Sequence, residues 1–97
     1  MLKNAQIVKI ATAVAKANLK PRNVVRVMAE PTVDSEGEDA LRITIVIRSG
    51  VVAKITGDAF LNTLVELQNR LRTAGEDRFP IVEYATEEEL AGVDDQP

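Results

Sequence analysis

The chain has 97 residues, of which 45% are hydrophobic and 28% charged, with a formal net charge of −3. That is the size of one domain, with enough apolar side chain to offset the entropy of ordering it. It has no cysteine and no histidine, which excludes disulfide scaffolds, zinc fingers, thiol nucleophiles and every triad that needs an imidazole.

The charge is divided along the chain. Residues 1–29 hold Lys3, Lys9, Lys16, Lys20, Arg22 and Arg26 and no acid, while the remainder holds six bases and all 15 acids. A basic face and an acidic face are expected. Valine, isoleucine and leucine supply most of the core against three aromatics, Phe60, Phe79 and Tyr84. Such a core suits a sheet with helices packed on it. No run approaches the roughly 18 apolar residues that span a bilayer. Lysines interrupt the first 20 residues, so no export signal is read there and a cytoplasmic location is expected.

In chain order, residues 2–19 are predicted to form a helix with Ile7, Ile10, Ala11, Val14 and Ala15 on its buried side. Lys9, Lys16 and Lys20 make a stripe on the opposite side. Pro21 ends the helix, because it cannot continue the hydrogen-bond ladder and pushes Lys20 out of the helical region. Residues 23–30 read as a strand with Val25, Val27 and Ala29 on one face. Residues 41–48 read as a second strand, with Leu41, Ile43, Ile45 and Ile47 inward and Arg42, Thr44, Val46 and Arg48 outward. The segment between them, with Gly37 at its turn, is expected to be an antiparallel hairpin with an acidic tip.

After the Ser49-Gly50 turn, Val51–Ile55 is expected to be a short third strand antiparallel to the second. Thr56 or Asp58 caps a helix over about 57–74, with Phe60, Leu61, Leu64, Leu67 and Leu71 inward, Glu66 and Arg70 paired outside, and Gly75 closing it. Phe79 is expected to tuck back under this helix. Residues 81–85 are predicted to be a last strand. Thr86 to Glu89 has the pattern of a capping box opening a short helix. The expectation is one α+β domain over residues 1–92, of order α-β-β-(β)-α-β-(α), with a frayed acidic tail at 93–97. Its sheet would be small and antiparallel, three to four strands, with helices on one face.

Three surfaces are candidates for function. The acidic tip, Asp34, Glu36, Glu38 and Asp39, lacks the spacing of a calcium loop and suits a basic protein partner better than a metal ion. The open sheet face, Arg26, Met28, Arg42, Thr44 and Arg48, has the arginine and methionine content of interfaces. The basic stripe Lys9, Lys16 and Lys20, extended by Arg22, could contact phosphates, although the first helix has no arginine for base readout and no aromatic for stacking.

Catalytic signals are poor. Both serines, Ser35 and Ser49, lie in turns with no Ser-x-x-Lys pattern, and the five glycines form no phosphate-binding loop. The segment TGDAFLNTLVEL has no lysine of the sort that opens the second helix of double-stranded RNA-binding domains. No Gly-x-x-Gly loop of the KH type occurs either. The expected function is therefore non-enzymatic, without cofactor or metal. A small interaction module (adaptor, inhibitor or antitoxin-like) would bind a protein partner or itself as a homodimer. The alternative is nucleic-acid binding through the basic first helix.

Overall fold

The computed structural model describes residues 1–94, with side chains described through Leu90. Helix α1 (Asn4–Leu19) leads through a 3-10 turn, Pro21–Asn23, into strands β1 (Val24–Val33) and β2 (Asp39–Ile47). A second 3-10 turn, Val52–Lys54, precedes helix α2 (Gly57–Thr73), strand β3 (Phe79–Thr86) and helix α3 (Glu87–Asp94). The class is α+β, and the expected order of elements holds apart from the bracketed third strand. Helix α3 takes in residues 93 and 94 of the expected tail; residues 95–97 lie outside the described part.

The sheet has the order β1-β2-β3. β1 and β2 form the expected antiparallel hairpin, but β3 runs parallel to β2. The sheet is therefore mixed, not antiparallel. A parallel neighbour needs a crossover of a dozen or more residues, and α2, 17 residues long, supplies it. The expected strand at 51–55 is absent. The place beside β2 is filled by the longer β3, and 51–55 becomes the climb from the sheet to the helical layer.

The core lies between the helices and one sheet face. Ile7, Ala11, Val14, Ala15 and Leu19 of α1 meet Leu41, Ile43, Ile45 and Ile47 of β2 and Leu67 and Leu71 of α2, all buried. Each such Leu, Ile or Val contributes about 1.5–3 kcal/mol on burial. On β1 a bulge at Val25 shifts the register, so Val24 and Val27 point inward and Val25 is exposed. Two expected core residues lie outside. Leu61 sits two residues before the buried Thr63, about 200° around α2, and is 57% exposed. Phe79 pairs with Ala40 and so stands on the other sheet face, 58% exposed.

Local chemistry ends the elements as anticipated. Thr56 caps α2 by accepting the Ala59 N–H at 3.1 Å. Gly75, at φ 102°, closes α2, with the Gly75 N–H donating to the Arg72 carbonyl and the Glu76 N–H to that of Leu71. Thr86 and Glu89 exchange the two hydrogen bonds of a capping box, 2.9 and 3.1 Å. Tyr84 sets its ring edge-on to Phe60 at 4.6 Å and donates its hydroxyl to the Phe60 carbonyl at 3.3 Å.

Candidate functional site

One end of the molecule gathers three chain turns. Pro21 stops α1, and Lys20 takes φ 77° and ψ 136°, the one non-glycine residue with positive φ among the described residues. The side chain of Asn23 donates to the Leu19 carbonyl at 2.9 Å, closing the end of α1. Its own carbonyl accepts the Arg48 N–H at 2.9 Å, which fixes the exit of β2 beside that end. The chain then reverses at Gly50, φ 87°. It makes the 3-10 turn, held by Lys54 N–H to the Val51 carbonyl at 2.9 Å, and enters α2 through the Thr56 cap.

These turns border a half-open cleft of about 530 Å³. Lys20, Arg22, Arg48 and Lys54 line it, from three separate segments, and among the described residues no Asp or Glu does. All four are exposed, and none forms an ion pair among the described residues. Leu19, Val51, Ile55 and Ala59 give it an apolar wall, and Thr56 and Ala59 bring in the first turn of α2. A cleft lined by one sign of charge focuses the potential inside it. Arginine adds a planar fork of donors that matches phosphate or carboxylate oxygens. The chemistry on offer is the binding of an anion.

The basic stripe is thus divided. Lys20 and Arg22 join the cleft, while Lys9 and Lys16 remain exposed along α1 and do not line it. Arg48 lies one residue past β2 and belongs to the cleft. The strand expected at 51–55 hides Lys54; a lysine two residues before the Thr56 cap is the available signal.

The rest of the open sheet face does assemble. Arg26, Met28 and Glu30 of β1 stand opposite Val46, Thr44 and Arg42 of β2, which stand opposite Ala85, Glu83 and Ile81 of β3. Arg42 is central, with Nη1 3.2 Å from a Glu30 oxygen and Nε 3.5 Å from one of Glu83. Val46 is buried there, and Met28 and Phe79 are exposed. The β3 side chains of this face were not anticipated, because its parallel pairing was not.

At the hairpin tip Asp34 serves its own loop. Its Oδ1 accepts the N–H groups of Glu36 and Glu38, both at 2.9 Å. Glu36, Glu38 and Asp39 are exposed around Gly37, φ 81°. Among the described residues no three His, Cys, Asp or Glu side chains form a metal-sized cluster, and no helix is long and apolar enough to cross a membrane. No family model, no curated protein and no solved structure matches this chain.

Proposed function

We propose that this chain is a small, non-enzymatic binding module whose working surface is the basic cleft, and that its ligand is anionic. The observation that carries this reading is the convergence of Lys20, Arg22, Arg48 and Lys54 on one cleft, with no carboxylate lining it among the described residues. Four like charges held together repel one another, and an anion relieves that repulsion as it binds. The net charge of −3 opposes attraction at long range. Recognition therefore rests on close contacts within the cleft.

The test is retention on phosphocellulose at pH 7.5 and low salt. An acidic protein without a functional basic site passes through. Retention is expected here, and it should be lost in Arg48→Glu/Lys54→Glu. Lys9→Glu/Lys16→Glu carries the same change in net charge and should still be retained. Flow-through of the unaltered protein, or equal loss in both variants, would contradict the reading.

A second copy of the chain on the open sheet face is favoured by a different observation. Met28, Phe79 and Ile81 leave apolar surface there, and Arg26 and Arg42 balance Glu30 and Glu83, a charge set that can complement itself across a two-fold axis. Sedimentation equilibrium should then give twice the 10.6 kDa chain mass, and Phe79→Glu should halve it. A monomer at every concentration would remove this interface.

A further inference from the structure

Resting on the anion-binding reading of the cleft, we infer that its ligand is a small molecule bearing two linked phosphoryl groups, and not a nucleic-acid strand. Three observations lead there. The first is charge. Four unpaired cations surround one cleft, whereas a phosphate monoester carries only about −1.5 to −2 at neutral pH. A diphosphate ester carries about one negative charge more and leaves fewer of the four cations facing each other uncompensated.

The second is shape. The cations line one half-open cleft of about 530 Å³, inside the range of roughly 300–1,000 Å³ typical of small-molecule pockets. A strand needs charges spaced along a track. The lysines that would extend one, Lys9 and Lys16, do not line the cleft.

The third is the absence of a stacking platform. Single-stranded nucleic acids are held largely by bases stacked on aromatic rings. The cleft is lined by no aromatic residue; its apolar wall is Leu19, Val51, Ile55 and Ala59. Arg22 and Arg48 supply forked donors, and Lys20 and Lys54 supply point charges. The body of the ligand would rest on Val51 and Ile55, both half-buried.

Isothermal titration at low ionic strength tests this, with sodium pyrophosphate, sodium phosphate, ADP, an alkyl diphosphate and a 12-nucleotide oligothymidylate as probes. Pyrophosphate should bind one to one and at least ~10-fold more tightly than phosphate. Arg48→Gln and Lys54→Gln should each weaken it by ~10-fold or more, and Lys9→Gln should not. Both arginine and lysine side chains here are exposed, so circular dichroism should show the variants folded. ADP binding more tightly than the alkyl diphosphate would mark a nucleotide source, and the reverse an aliphatic one; either supports the diphosphate inference. Tighter binding of the oligonucleotide than of pyrophosphate, weakened by Lys9→Gln, would overturn the inference while leaving the anion-binding reading intact. Silence from every probe would overturn both.

Discussion

Lys20 carries a backbone conformation that a side chain disfavours and a charge at the lining of the cleft. Such a conformation costs a non-glycine residue of order 1–3 kcal/mol. Glycine adopts it freely. Lys20→Gly should therefore raise the melting temperature by several degrees, since about 1 kcal/mol corresponds to ~4–8 °C in a domain of this size. It should also weaken anion binding. A variant that gains stability and keeps its affinity would separate Lys20 from the site. Pro21 announced that the helix stops and that Lys20 leaves the helical region; the sign of φ was not legible, because it depends on where the chain must go next.

Glu76 was invisible as an anchor. Its carboxylate is fully buried, 2.8 Å from Arg78 Nε, and it accepts the N–H groups of Leu2 at 2.9 Å and Arg78 at 3.0 Å. The Arg78 guanidinium, above all, holds the carboxyl down to about 2 against a burial that pushes it up. A depressed carboxyl stabilises the fold fully above its ordinary value of 4.5, and that contribution fades as pH falls from there towards 2. Glu76→Gln should lower stability by about 2 kcal/mol at pH 7, because the part-buried Arg78 guanidinium loses its charged partner. The variant's melting temperature should also fall less steeply between pH 4.5 and 2; an equal fall would place the acid sensitivity elsewhere.

At the scale of elements, periodicity located both long helices and the central strand to within a few residues. Their patterns are local: a 3.6-residue stripe in α1 and an alternation of isoleucines in β2. The direction of β3 is not local. It depends on a helix of 17 residues returning the chain to the same end of the sheet. The same gap hid Lys54, Phe79 and Ile81, all of which follow from where β3 lies. α2 therefore ties the cleft to the core, since its first turn lines the one and Leu67 and Leu71 fill the other. Leu67→Ala should cost about 2–5 kcal/mol, read from urea unfolding. Thr56→Ala, which removes the cap, should cost about 1 kcal/mol. A loss near zero in the cap variant would mean that the Thr56 backbone carbonyl, 3.1 Å from the Ala59 nitrogen, satisfies that N–H by itself.

Across the whole molecule, the charge asymmetry was plain in the sequence, but its use was not. The first 29 residues bring Lys20 and Arg22 to the cleft, and the acidic remainder of the chain adds Arg48 and Lys54. The site is thus a product of topology, assembled where the end of α1, the exit of β2 and the entry to α2 meet. The acidic tip and the sheet face lie on other elements, so the proposed ligand binding in the cleft and the proposed pairing of chains can be tested separately. The measurement that tests this most directly is amide chemical-shift mapping by NMR during titration with pyrophosphate. Saturable shifts should concentrate at residues 19–23, 48–51 and 54–59. Shifts confined to α1 around Lys9 and Lys16, or no saturable shifts anywhere, would contradict the cleft as the binding site.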